Sequence, residues 1–175
     1  MIEFNGKTVW ITGASSGIGK ALALKISDLE ANIVLSSRNK KELENVAKQC
    51  KGKSYILPLD LEKPEAFEIA TQLVVKKYGS IDLLINNGGI SQRSEASQTS
   101  IEVDRKLMEI NYFGTIGLTK SVLSTMQKQQ KGHIVTVSSL SGKFGFFLRS
   151  AYAASKFAQA GFFESLRLEE EKNNI

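Results

Sequence analysis

A tyrosine and a lysine four positions apart suggest acid/base chemistry. They occur in Ser150-Ala151-Tyr152-Ala153-Ala154-Ser155-Lys156. Ala158, Gln159 and Ala160 continue a composition that favours helix, so Tyr152 and Lys156 fall on one helical face, one turn apart. A phenol titrates near about 10, too high to exchange protons readily at neutral pH. A neighbouring ammonium favours the phenolate and lowers that value. Alone, the pair is also what an ordinary helix gives, with the aromatic packed inside and the lysine in water.

A second group is Gly13-Ala14-Ser15-Ser16-Gly17-Ile18-Gly19. Gly13 suits a tight turn. Gly17 lets backbone approach a pyrophosphate at a helix N-terminus, where free N–H groups and the dipole favour anions. Gly19 permits close packing of helix on sheet. The spacing is G-x-x-x-G-x-G, not the commoner G-x-G-x-x-G, and three glycines can also be only a turn. Ser37, Arg38 and Asn39 close the next apolar run. An acid there would suit the ribose hydroxyl of NAD, whereas an arginine suits the 2′-phosphate of NADP. This leans toward NADP(H), with NAD(H) as the second candidate. An arginine after a strand can also simply be solvated.

Alternating strands and helices must position these residues. Residues 7–12, 32–37, 54–59, 81–85 and 132–137 are apolar and β-branched, as buried strands are. Pro58 cannot donate to a ladder and argues for an edge or a strand end. Helical patterns fill the gaps. In the first, Ile18, Ala21, Leu22, Leu24, Lys25 and Leu29 read as one amphipathic face. The second, 40–51, turns Leu43, Val46 and Ala47 inward. The third, 64–78, opens on a proline. The fourth, 101–130, is long, with Leu107, Met108, Ile110, Ile116, Leu118, Val122, Leu123 and Met126 inside. Asn111 sits within it and can bend it by competing for backbone bonds. The last runs from Tyr152 to about residue 172. The alternation predicts an α/β fold with a parallel sheet and right-handed crossovers. Gly13, Arg38, Asp60, Asn86 and Ser139 then all lie at carboxyl ends of strands, where such sheets bind ligands.

Composition excludes several alternatives. The 175 residues suffice for one domain with a substantial core. The net charge of +5 comes from interspersed lysines and glutamates, without the basic stripe that nucleic-acid binding needs. Cys50 is the single cysteine, which excludes an internal disulfide framework and fits a reducing, cytoplasmic setting. His133 has no Cys, Asp or second His at metal spacing. No signal peptide and no apolar stretch of membrane-spanning length are visible.

With these residues in place the chain resembles the short-chain dehydrogenase/reductase family. Thr12-Gly13-x-x-x-Gly17-Ile18-Gly19, Asn86-Asn87-Gly88-Gly89, Ser139 and Tyr152-x-x-x-Lys156 match its motifs in order. The run Asn86-Asn87-Gly88-Gly89-Ile90-Ser91-Gln92-Arg93-Ser94 is most similar to the dehydrogenase/reductase member 7 group. The resemblance implies a Rossmann-like, doubly wound parallel sheet and an NAD(P)-dependent oxidoreductase that interconverts ketone or aldehyde and alcohol. Tyr152 would be the general acid/base and Ser139, not Ser138, would hold the substrate oxygen. Lys156 would tune Tyr152 and bind the nicotinamide ribose. Asn111 would hold a water in a proton relay. Cofactor contacts are implied for Gly13, Ser15, Ser16, Gly17, Ile18 and Gly19 in the first turn. They are also implied for Ser37, Arg38, Asn39, Asp60, Leu61, Asn87 and Gly88, and for Tyr152 and Lys156. Phe144, Phe146 and Phe147 hint at an apolar substrate wall.

In the family another strand, a Pro-Gly turn, a substrate loop and a last helix and strand follow the tyrosine helix. This sequence stops at Asn173-Asn174-Ile175. Residues 1–175 are thus expected to form a single NAD(P)-binding domain, incomplete at its C-terminus and with an unpaired sheet edge. The competing expectation is a truncated, non-catalytic dinucleotide-binding fragment. Many members assemble through the two long helices, so a homo-oligomer is a further implied partner.

Overall fold

A computed structural model describes residues 3–175. Five short strands form its centre: β1 (Thr8–Thr12), β2 (Asn32–Ser36), β3 (Ser54–Ile56), β4 (Leu83–Asn86) and β5 (His133–Thr136). All of β1 and all of β4 are buried, as their apolar, β-branched sequences require. Every pairing is parallel, in the order β3-β2-β1-β4-β5. Parallel neighbours need crossovers, and helices supply them. These are α1 (Gly17–Ser27), α2 (Lys40–Ala47), α3 (Phe67–Tyr78), α4 (Ile101–Leu107), α5 (Thr115–Gln129) and α6 (Ser150–Glu170).

Alternate side chains of a strand face opposite ways, so the sheet has two cores. Val9, Ile11, Ile33, Leu35, Leu83 and Ile85 pack on Ala23 and Ile26 of α1 and on Leu43 and Val46 of α2. Trp10, Val34 and Leu84 pack on Phe67, Ala70 and Val74 of α3 and on Leu118, Val122 and Met126 of α5. Each large side chain so buried contributes roughly 1.5–3 kcal/mol. Trp10 also donates its indole N–H to Ser36 Oγ at 2.8 Å, and Ser36 Oγ donates to the Leu57 carbonyl at 2.7 Å. The expected α/β, doubly wound parallel sheet is what forms. The order reverses between β1 and β4, and a crevice opens at their carboxyl ends.

Four expectations need correction. The face of α1 is not the expected one. Its buried residues are Gly19, Ala23, Ile26 and Ser27, while Ile18 is 60% exposed and Leu29 lies outside the helix. The second helix ends at Ala47 rather than 51. The third strand ends at Ile56, although Leu57 and Leu59 still donate N–H to Leu35 and Ser37 carbonyls. Pro58, with no N–H, lies between those two bonds, and β3 is an edge strand as its proline implies. The long fourth helix is three segments, α4, a π-helical stretch from Met108 to Gly114, and α5. Asn111 lies in the wide turn, and π-turns are rare and favour functional sites.

Candidate active site

The carboxyl ends of β1 and β4 are stitched together by side chains. Thr12 Oγ1 accepts from the N–H groups of Asn87 (3.0 Å) and Gly88 (2.9 Å). The Asn87 amide donates back to the carbonyls of Thr12 (3.0 Å) and Gly13 (3.2 Å). The turn requires glycine at two points. Gly13 has φ +62° and Gly17 φ +53°, conformations that side chains with a Cβ rarely adopt. Gly19 is needed for space instead, since a Cβ there would overlap the Gly13 carbonyl. This is the close packing expected of it, although it falls on the turn rather than on the sheet.

A cavity of about 380 Å³ opens beside this joint. Gly13, Ser15, Ser16, Ser37, Arg38, Asn39, Asp60, Leu61, Asn87 and Gly88 line it, which is ten of the expected cofactor residues in one place. The Ser16 side chain does not cap α1, so the first N–H groups of that helix remain available for a ligand. Arg38 is exposed and only loosely paired, 3.7 Å from Glu62. Asn39 is spent on capping α2, accepting from Glu42 N–H at 3.2 Å. A Cβ on Gly88 would come within 2.9 Å of Leu61.

Two further cavities continue along the same edge. One of about 240 Å³ is lined by Ile18, Asn87, Gly89, Ile90, Val137, Ser138, Tyr152 and Lys156, with Ser91. It shares Asn87, Gly89 and Ile90 with the first. The other, about 560 Å³, is lined by Ser139, Tyr152, Phe146, Phe147, Arg149, Arg93 and neighbours, and it shares Ser91 and Tyr152 with the second. Exposed Ile18, placed on the helix's apolar face by periodicity and among the cofactor contacts by the resemblance, lines this cavity with Tyr152 and Lys156. Ser139 lines the outer cavity and Ser138 the middle one, each together with Tyr152. Ser139 Oγ accepts from Ser141 N–H at 3.1 Å. Phe147 is 84% exposed on the open rim.

Lys156 is nearly buried, and its ammonium donates to the Val137 carbonyl and to Gln159 Oε1, both at 2.9 Å. Burial pushes it down from 10.5 to about 8. It lies 5.9 Å from the centre of the Tyr152 ring. The Arg149 guanidinium sits 6.0 Å from that ring and bonds Ser91 Oγ and, at 2.7 Å, the Gln92 carbonyl. Asn111 is completely buried. Its Oδ1 accepts from Ile90 N–H (2.8 Å), and its Nδ2 donates to the Ile90 carbonyl (2.9 Å) and Ser155 Oγ (3.0 Å). Ser155 Oγ donates in turn to the Tyr152 carbonyl at 2.8 Å. The Asn111 side chain therefore ties the turn after β4 to α6, with both ends of its amide engaged.

Sequence reasoning placed Thr12 in a matching motif without a role for its hydroxyl, and assigned no site role to Arg149 or Gln159. Thr12 was legible, being fixed between strand and glycine turn. A lone arginine and a helix-favouring glutamine carry no comparable mark. Among the described residues no cluster of metal-binding side chains occurs, and no helix is long and apolar enough to cross a membrane.

Comparison with known proteins bears on this geometry. The family model for short chain dehydrogenase matches residues 7–175. "Dehydrogenase/reductase SDR family member 7" of Homo sapiens is 48% identical over 174 residues, covering 95% of this chain and 51% of its own length. "Dehydrogenase/reductase SDR family protein 7-like" of Anopheles gambiae is 46% identical, covering 99% of this chain and 57% of its own. The chain thus spans about half the length of the curated relatives it matches. The crystal structure of an NAD+-bound xylitol dehydrogenase superposes with TM-score 0.96 at 29% identity, over 99% of this chain and 68% of that one. A metagenomic short-chain oxidoreductase in complex with NADP gives 0.93 at 28% identity, over 98% and 80%. The ordered motifs, the parallel sheet with its crevice and these matches agree: the chain belongs to the short-chain dehydrogenase/reductase family of oxidoreductases.

Proposed function

We propose that this chain binds NADP(H) in preference to NAD(H) and uses Tyr152 to exchange a proton with a small-molecule carbonyl or alcohol. The observation that carries this reading is the continuity of the three cavities, from Arg38 at one end to Tyr152 and Ser139 at the other. The residues present fit a dinucleotide. The uncapped start of α1 and the turn at Gly13, Ser15, Ser16 and Gly17 suit a pyrophosphate. Arg38, with Ser37 and Asn39, suits a ribose phosphate. Asp60 and Leu61 would flank the base, and Asn87, Gly88 and Ile18 the stretch toward Tyr152. When bound, the dinucleotide would supply the hydride exchange.

The remaining steps belong to the chain. Ser139 would hold the substrate oxygen by hydrogen bond. The Tyr152 hydroxyl would give its proton to that oxygen in reduction and recover it in oxidation. Lys156 would favour the phenolate left behind, because a fixed positive charge costs no reorganisation during the step. Phe146 and Phe147 would form an apolar wall for the substrate. A second reading has its own support. The outer cavity is open and Phe147 stands in solvent, which favours a unit that binds dinucleotide without completing the transfer.

Turnover by the unmodified chain separates these readings, and two variants test the roles given to Tyr152 and Arg38. Tyr152→Phe should abolish NADPH oxidation with an aryl aldehyde while leaving NADPH affinity within about twofold, since only the transferred proton is removed. Arg38→Asp should weaken NADPH about 10- to 100-fold, as befits a charge-assisted bond, and leave NADH little changed. Binding without turnover in the unmodified chain would favour the second reading. Equal losses of NADPH and NADH in Arg38→Asp would overturn the NADP assignment.

A further inference from the structure

Gln159 is 2% exposed, on the inner face of α6 three residues after Lys156. A buried amide is costly unless it is bonded. Here both ends are bonded. Nε2 donates to the main-chain carbonyl of Asn111 and to Thr115 Oγ1 (3.3 Å), while Oε1 accepts from Lys156 Nζ at 2.9 Å. The amide thus stands between the π-helical stretch and the ammonium, linking the backbone of one expected catalytic residue to the side chain of another. The second oxygen on Lys156 is the Val137 carbonyl, from the chain just past β5. Two oxygens from two elements fix two of the three N–H bonds of the ammonium, and a side chain so held has few rotamers left.

We propose that Gln159 is a positioning residue for Lys156, its amide bridging the ammonium to the Asn111 carbonyl and so holding the charge beside Tyr152. This rests on the reading that Lys156 serves the proton-transfer site. Tyr152 is the titratable group beside the ammonium. The elements packed against α6 carry Glu102, Asp104, Arg105, Lys106, Glu109 and Tyr112 along α4 and the π stretch, Lys143 after β5, and Glu171 and Lys172 at the far end. None forms an ion pair with Lys156 among the described residues. The amide oxygen is therefore the side-chain acceptor that favours the charged form, and Gln159 should govern where Lys156 titrates.

The test is the titration of the Lys156 side chain, followed by NMR of the full chain carrying 13C-lysine, with the signal assigned by its loss in Lys156→Met. Gln159→Met keeps the volume and removes both amide functions. It should lower the Lys156 midpoint by about 1–2 pH units, the equivalent of one hydrogen bond to a charged group. Gln159→Glu, of the same shape, should raise the midpoint. Coincident midpoints in all three proteins, each with native melting behaviour, would overturn the proposal. If the Met variant does not fold, the Glu variant decides, and an unchanged or lowered midpoint there overturns the proposal as well. NADPH titration of the same samples is read separately. A chain that binds no nucleotide yet shows both shifts loses the functional reading and keeps the bridge.

Discussion

Lys156 carries an ammonium where water scarcely reaches, and its place there sets a pH signature. Its folded value of about 8 lies below the ordinary 10.5. Between those values the unfolded chain binds more protons than the folded one, so this group makes stability rise with pH across that window. Below pH 8 the cost of the buried charge is fully present, and it fades as pH approaches 10.5. Urea unfolding of the unmodified chain and of Lys156→Met should therefore differ in pH dependence. The stability of the unmodified chain should gain about 3 kcal/mol relative to the variant between pH 8 and 10.5. Parallel pH curves would show that Lys156 is not desolvated. The same residue shows what was readable in advance. Tyr152 and Lys156 stood out only in company, because their spacing is common on helices but rare after a strand, a glycine turn, Asn86-Asn87-Gly88-Gly89 and Ser139 in that order. Gln159 did not, because a glutamine in a helix looks like surface until its partners on other elements are known.

Elements show a similar division. Strands, crossovers and the residues at strand ends could be read from sequence, because buried strands need β-branched runs and turns into anion sites need glycine. The face of α1 could not be read. Ile18 is apolar for a cavity rather than for the core, and periodicity does not distinguish the two. The π-helical stretch was only half legible, since a bend at Asn111 could be expected from its residue type, but its bonds across to Ile90 and Ser155 lie on other elements. Gly114 at the end of that stretch gives a test whose sign is diagnostic. In an ordinary helix Gly→Ala stabilises by roughly 0.5–1 kcal/mol. Here a Cβ would overlap the Leu61 carbonyl and lie 2.8 Å from Leu61 Cβ, so the helix has no room for one. Gly114→Ala should destabilise by about 1–3 kcal/mol, read as a lower urea midpoint at unchanged slope. A higher midpoint would mean that the π stretch does not press on the Leu61 turn.

At the scale of the whole molecule, the sheet gathers residues from five separate stretches of sequence onto one edge. Its order, β3-β2-β1-β4-β5, places the reversal of winding at the Thr12–Asn87 joint, and Asn87 lines both the cavity of Arg38 and that of Tyr152. The opposite edge holds other polar groups. Lys7, Asp82 and His133 border a separate cavity at the amino ends of β1, β4 and β5, so a ligand has a real alternative. Amide chemical-shift mapping of the chain with NADPH discriminates between the two edges. Saturable shifts should appear at Gly13, Ser16, Gly17, Arg38, Asp60, Asn87, Gly88 and Ile90 and fade toward Tyr152 and Lys156, with Lys7, Asp82 and His133 unmoved. Shifts centred on those three residues, or no saturable shift at all, would contradict a dinucleotide site at the carboxyl edge.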